Sequence, residues 1–154
     1  MTLHNYPISQ SLNLNDTNLK YLDLDTVALT DLSITNAPFA SYSFKKCTSL
    51  RTLTLNNCYE LIEFKDGEYV DGKVEEQGLT ALTNLTISNC SNLEIVDLPG
   101  CKASTIAFSD NPNIKALRMP ATQTITILDI STLSELEELD LRDCSNLQEI
   151  IIPQ

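Results

Sequence analysis

Residues 136–147 read Leu136-Glu137-Glu138-Leu139-Asp140-Leu141-Arg142-Asp143-Cys144-Ser145-Asn146-Leu147, and residues 50–61 read Leu50-Arg51-Thr52-Leu53-Thr54-Leu55-Asn56-Asn57-Cys58-Tyr59-Glu60-Leu61. Counted from Leu139 or Leu53 as zero, both are apolar at 0, +2, +5 and +8. The Leu-x-Leu start has the two-residue period of a strand, and the apolar residues at +5 and +8 bring the chain back inward after a turn. Starts of this kind fall at Leu12, Leu22, Leu32, Tyr42, Leu53, Phe64, Leu85, Val96, Ile106, Leu117, Leu128, Leu139 and Ile150, 10 or 11 residues apart except for a 21-residue step after Phe64. Such a unit is too short for a strand, a crossover helix and a return, so parallel strands must come from coiling, two units to a turn.

Residue types that played no part in choosing this register test it. All five cysteines, Cys47, Cys58, Cys90, Cys101 and Cys144, fall at +5. Pro99, Pro120 and Pro153 share +3, and Pro38 and Pro112 share +6. Proline has no N–H and ends a ladder, so proline at +3 predicts a short strand followed at once by a corner.

Leu136-x-x-Leu139-x-Leu141-x-x-Cys144-x-x-Leu147 and Leu50-x-x-Leu53-x-Leu55-x-x-Cys58-x-x-Leu61 resemble the L-x-x-L-x-L-x-x-N/C-x-x-L consensus of leucine-rich repeats, a likeness that covers residues 12–154. Because Leu-x-Leu comes twice per 20 to 22 residues, as between Leu19 and Ala37, the chain is most similar to the nested (IRREKO-like), Cys-type repeats known mainly from bacteria. It departs from the pattern in carrying Cys, Thr, Val or Ala for the usual Asn at most +5 positions, and in showing no recognisable terminal cap. The expected fold is mainly β: a right-handed leucine-rich-repeat solenoid with two parallel sheets, about six turns and little helix. An irregular segment 1–11 precedes the solenoid 12–154, with a hairpin inserted at about 66–78. The function the resemblance implies is a non-catalytic protein-interaction or adhesion module.

Composition narrows the partners. With 21 acids against 10 bases the net charge is −11, and no Lys/Arg cluster occurs, so phosphate backbones and anionic lipid are poor partners. The longest apolar run is three residues, 150–152, far short of the 18 or so of a membrane span. Residues 1–7 show neither a basic region nor an apolar stretch, so no secretion signal is visible. A cell-surface or secreted location is expected if the chain belongs to a longer protein, a cytoplasmic one otherwise.

Catalytic constellations are weak. The single histidine, His4, precedes the first complete repeat, and no histidine neighbours the cysteines to activate them. Three of the four glycines, Gly67, Gly72 and Gly78, sit in one insertion, so nothing resembles a phosphate loop. The expectation is no enzyme and no cofactor. The +5 cysteines read as buried thiols that pack as small apolar groups and bond weakly to corner backbone. The alternatives are a disulfide between stacked coils and a metal site, although no C-x-x-C pair occurs.

In the insertion, Asp71-Gly72 between Tyr69-Val70 and Lys73-Val74 signals a tight hairpin, since both residues accept positive φ. This hairpin is expected to project into solvent, and Glu68, Tyr69, Asp71 and Lys73 are its candidate partner contacts. Its carboxylates, Asp66, Glu68, Asp71, Glu75 and Glu76, match no calcium-loop spacing. Ser134 to Leu139 has helical propensity, but the repeat register allows at most a single helical turn there.

Outward offsets +1 and +3 give two surfaces. One set of alternate units presents Asn13, Asn15, Ser33, Thr35, Thr54, Asn56, Thr86, Ser88, Ala107, Ser109, Asp129 and Ser131, nearly uncharged. The other presents Asp23/Asp25, Ser43/Lys45, Lys65, Asp97/Pro99, Arg118/Pro120 and Asp140/Arg142. The Ser/Thr/Asn set is the candidate binding face, although short β-forming polar residues also simply keep a sheet soluble. A protein partner is expected first, and carbohydrate or ice second. The uncapped Ile150-Ile151-Ile152 end suggests a fragment of a larger surface protein or end-to-end self-association, with a structural spacer or self-assembling subunit as the alternative function.

Overall fold

The structure, a computed structural model, describes residues 1–4, 10–25 and 27–154, the side chains of Leu3 and His4 apart. The described residues form strands and turns with no helix. One face carries β2 (Ser11–Asn15), β4 (Asp31–Ala37), β6 (Thr52–Cys58), β10 (Asn84–Ser88) and β12 (Thr105–Ser109) in one parallel sheet, continued by the parallel pair β14 (Ile127–Asp129) and β16 (Glu149–Ile151). The other carries β1 (Thr2–His4), β3 (Tyr21–Asp25) and β5 (Ser41–Ser43), then a second parallel sheet of β7 (Glu63–Lys65), β11 (Ile95–Asp97), β13 (Ala116–Arg118) and β15 (Glu138–Asp140). Between β7 and β10 lies the antiparallel hairpin β8 (Glu68–Val70) and β9 (Lys73–Glu75).

The result is a β-solenoid of seven strands on each face, about seven turns, which corrects the expected six. The extra turn comes from β1, whose Thr2 pairs with Asp23 of β3 ahead of the first recognised unit. Of the segment 1–11 expected to be irregular, residues 5–9 lie outside the described residues. At the strand spacing of about 4.7 to 4.9 Å, seven turns make a column roughly 30 Å long.

The apolar offsets build one core. Leu22, Leu32, Leu53, Phe64, Leu85, Val96 and Leu117 are fully buried at offset 0, and they join Leu24, Leu55, Ile87 and Met119 at +2 in a single cluster. The turn chemistry follows the same count. The carbonyl at +5 accepts the N–H at +8 in Cys47–Leu50, Cys58–Leu61, Cys90–Leu93 and Cys144–Leu147, at 3.1 to 3.2 Å. Just before it, +4 is left-handed on both faces: Asp16, Asn36, Asn57, Asn89 and Asp110 on the first, Lys46, Gly100, Ala121 and Asp143 on the second, with φ from 50° to 60°. Asn, Asp and Gly tolerate that conformation best, which explains their recurrence there.

Where proline stands at +3, in Pro99 and Pro120, β11 and β13 stop after three residues, but β7, β14 and β15 are equally short without it, so proline is compatible with the short strand rather than its cause. Ser134 to Leu139 forms no helix. Its corner closes with the Leu136 N–H on the Leu133 carbonyl at 3.3 Å, so the solenoid register overrides local propensity.

Candidate interaction surfaces

The first face aligns its outward residues into rows. Asn13, Ser33, Thr54, Thr86 and Ala107 are register partners across the five strands, and Asn15, Thr35, Asn56, Ser88 and Ser109 form a second row beside them. Each row is exposed or half-buried and carries no formal charge. Asp129 and Ser131 stand apart, because β14 belongs to the next sheet and Ser131 lies in the turn beyond it. There the Asp129 carboxylate accepts the Ser131 N–H at 3.0 Å, and the bonds from Ser131 hold its pKa below the usual aspartate value.

At the edge of this face is a row that the spacing of Leu-x-Leu does not reveal. The Asn36 amide donates to the Asp16 carboxylate at 2.8 Å, the Asn57 amide to Asn36 Oδ1 at 2.9 Å, and the Asn89 amide to Asn56 Oδ1 at 2.9 Å. Ser88 Oγ adds a second donor to Asn56 Oδ1 at 3.2 Å. Asn36, Asn56, Asn57, Asn89, Ser91 and Asp110 line a shallow groove of about 560 Å³ along the corner. Its signal in the sequence is Asn or Asp recurring at +4, an offset outside the apolar pattern.

The second face is charged but largely self-paired. Lys65, Asp97, Arg118 and Asp140 are register partners, so the row alternates in sign along four strands. Lys65 lies 3.9 Å and Arg118 3.7 Å from Asp97, and Arg118 grips Glu138 through two bonds of 2.6 and 2.7 Å. That grip lowers the Glu138 pKa. Arg142 does the same to Asp140, through bonds of 2.7 to 3.2 Å. Solvent screens exposed pairs of this kind, so the row sets surface character more than stability.

The insertion forms the expected hairpin. Asp71 and Gly72 both have positive φ, 50° and 76°, and β8 pairs with β9 from Glu68–Glu75 to Val70–Lys73. It does not project, however, and that expectation is corrected: the hairpin lies back along the corner of later turns. The Tyr69 hydroxyl bonds the Asp143 carboxylate, and the Arg142 guanidinium sits 5.4 Å over the Tyr69 ring. Val74 packs so closely on Gly100 that a Cβ there would come 2.7 Å from Val74 Cγ2. Gln77 Nε2 donates to the Gly100 and Pro99 carbonyls at 2.9 and 3.3 Å. Of the four candidate contacts, Tyr69 is therefore engaged within the molecule, and Glu68, Asp71 and Lys73 remain exposed. The apolar body and cation–π contact of Tyr69 outweigh the solvation of a freely standing hairpin.

Asp66 closes the base of the insertion by accepting the Gly78 and Leu79 N–H groups at 2.8 and 3.0 Å, and burial pushes its pKa up. Among the described residues no three His, Cys, Asp or Glu side chains are arranged as metal ligands.

The thiols sit in the core column. Cys47, Cys58, Cys90 and Cys101 are buried, Cys144 is half-buried, and all five are free. Their partners follow a rule: the +5 thiol reaches the +2 carbonyl of the preceding turn, as in Cys47 to Leu24 (3.4 Å), Cys58 to Ile34 (3.6 Å), Cys90 to Leu55 (3.9 Å) and Cys144 to Met119 (3.1 Å). Asn111 fills the same offset, and its amide makes that bond to Ile87 at 2.8 Å while its oxygen accepts the Cys90 N–H at 3.0 Å. Burial raises the pKa of Cys47 to about 12 and that of Cys101 to about 11. Such thiols are almost wholly protonated near neutral pH and poor nucleophiles.

Compared with family models, curated proteins and solved structures, the chain has no match.

Proposed function

We propose that the chain is a non-catalytic protein-interaction or adhesion module of leucine-rich-repeat type, with the Ser/Thr/Asn face as its binding surface and a protein as the first partner class. The observation that supports this reading most directly is the pair of uncharged, in-register rows from Asn13 and Asn15 to Ala107 and Ser109 across five strands. Side chains on such rows vary without disturbing the core, which suits a recognition surface. Regular hydroxyls and amides also suit a polysaccharide. The test compares partners captured by the natural chain with those captured by Thr54→Arg/Thr86→Arg, using a protein extract and a glycan array as separate probes. Loss of a captured protein in the double variant supports the reading. Equal capture by both chains, or capture of glycans alone, overturns the protein-binding form of it.

A second reading, a self-assembling subunit, draws on the last turn. Leu139 and Ile150 occupy offset 0, where Leu53 and Leu85 are fully buried, yet each is 39% exposed, and Ile151 and Ile152 are exposed beside them. Exposed apolar rows at a solenoid end favour stacking. Sedimentation at rising concentration should then show oligomers that Ile151→Glu disperses, and a monomer at all concentrations would exclude it.

A further inference from the structure

The corner row of the first face is directional, and it breaks. Asp16, Asn36, Asn57, Asn89 and Asp110 follow one another up that corner, each one residue beyond the register partners Asn15, Thr35, Asn56, Ser88 and Ser109. In the first turns each amide donates to its counterpart one turn earlier, Asn36 to Asp16 and Asn57 to Asn36. Asn89 departs from this rule, because its amide goes to Asn56 Oδ1 instead of to Asn57. Asp110 has no side-chain N–H to give, so the row ends there.

The break leaves acceptors without donors. Among the described residues, Asn57 Oδ1, Asn89 Oδ1 and the Asp110 carboxylate take no hydrogen bond. The side-chain donors around Asp110 are committed to main chain. The Asn111 amide goes to the Ile87 carbonyl at 2.8 Å, the Asn113 amide to the Ser91 carbonyl at 2.6 Å and the Thr132 hydroxyl to the Phe108 carbonyl at 3.0 Å. Asn89 Oδ1 and the Asp110 carboxylate are therefore acceptors on adjacent turns, and their lone pairs repel until a donor comes between them.

The same groove also offers donors. Asn36, Asn57 and Asn89 each spend one amide proton on the row and keep a second N–H. An occupant must then donate to the oxygens and accept from the amides along one line. A hydroxyl does both, whereas an ammonium or a guanidinium only donates.

Shape agrees with a chain of hydroxyl-bearing rings. The groove holds about 560 Å³, and the exposed Ser91 in its lining adds a further hydroxyl. From Asn36 to Asp110 it crosses three ladder spacings, about 14 Å. Pro112 gives it an apolar wall at one end, and Tyr59, at the same corner offset two turns earlier, is 40% exposed. The Tyr59 hydroxyl makes no hydrogen bond among the described residues, so its ring is an uncommitted apolar plane on the same corner as the polar track. A sugar ring matches that pairing, with C–H groups on its faces and hydroxyls around its rim.

We infer that this corner groove binds a neutral linear oligosaccharide: sugar hydroxyls donate to Asp110 and Asn89, the asparagine amides donate to sugar oxygens, and the Tyr59 ring stacks on one sugar unit. Asn56 is common to the groove and the outward rows, and its Oδ1 is already filled by the Asn89 and Ser88 donors. The site thus stands whether or not the Ser/Thr/Asn face binds a protein.

The test titrates the full chain with neutral linear hexasaccharides of glucose, xylose, mannose and N-acetylglucosamine, read by calorimetry and by asparagine side-chain amide resonances. At least one should bind and shift the resonances of Asn36, Asn57 and Asn89. Asp110→Asn keeps a residue that tolerates left-handed φ and supplies the missing donor to Asn89 Oδ1. It should weaken binding roughly tenfold while the melting temperature holds or rises. Tyr59→Ala should weaken binding roughly fivefold, and Tyr59→Trp should restore it. Thr54→Arg/Thr86→Arg, on the outward row, should leave it unchanged. Binding of none of the four sugars, binding indifferent to Asp110→Asn, or shifts confined to Asn13 and Asn15 would overturn the inference. So would a hexa-arginine peptide that shifts the groove resonances where no sugar does, since the occupant would then be a cationic protein segment.

Discussion

Asn111 shows what the +5 position is for. Its amide closes the bond to the preceding turn that the thiols make only weakly, and it also satisfies the Cys90 N–H. Asn111→Ala leaves a buried donor and a buried acceptor unpaired, and chemical denaturation should record a loss of about 2 to 4 kcal/mol. Thr122 holds the same offset with the opposite balance, since its fully buried hydroxyl has no partner. Thr122→Val should therefore stabilise the protein by about 1 kcal/mol in the same assay. The thiols give a third outcome at this scale. A thiol reagent at pH 8 should modify about one cysteine per native chain, the half-buried Cys144, and the other four only on unfolding. The register of these positions was legible because rare residue types shared an offset. Their bonding partners were not, because each lies one full turn away.

At the scale of the element, the hairpin illustrates the limit of local signals. Asp71-Gly72 announced its turn, and the structure has that turn. Its docking depends on Asp143, 74 residues from Tyr69 in sequence, and no local pattern encodes that meeting. Tyr69→Phe removes the bond, and hydrogen exchange of residues 68–75 should quicken while that of β10 stays slow. Asp66 at the base has a pKa raised by burial. A raised folded-state value means that its contribution is fully present below the unfolded aspartate pKa and is lost as pH rises through the folded one. Natural protein should therefore lose stability relative to Asp66→Asn as pH is raised from about 3.9 toward neutrality. A difference between the two that stays constant with pH would show that Asp66 does not titrate differently on folding.

At the scale of the whole molecule, the two faces differ for a reason beyond composition. On the first, short polar residues stack in register and five strands continue without a break. On the second, aromatic bulk inside and the return of the insertion outside part the ladder between β5 and β7. The insertion thus acts twice, as a strap over later turns and as a wedge between earlier ones. Gly78→Ala tests the second role. Its methyl group would meet the Phe44 carbonyl, so either the insertion leaves the corner or that corner shifts, and circular dichroism should report a lower melting temperature.

Repetition made the coil readable in one dimension. An apolar pair every 10 or 11 residues admits few packings, and a strand period too short for a crossover leaves coiling as the way to lay strands parallel. The alternation of two faces, the buried +5 column, the outward Ser/Thr/Asn residues and the hairpin turn are all written in that period and in local turn chemistry. Whatever depends on neighbours a turn or more distant is not. The left-handed asparagine row, the alternating charges from Lys65 to Asp140, the folding back of the hairpin and the break between β5 and β7 that the Tyr42 hydroxyl bridges are set by stacking between turns. Periodicity states which way a side chain points, whereas the volume and charge of the turn above and below decide what it meets there.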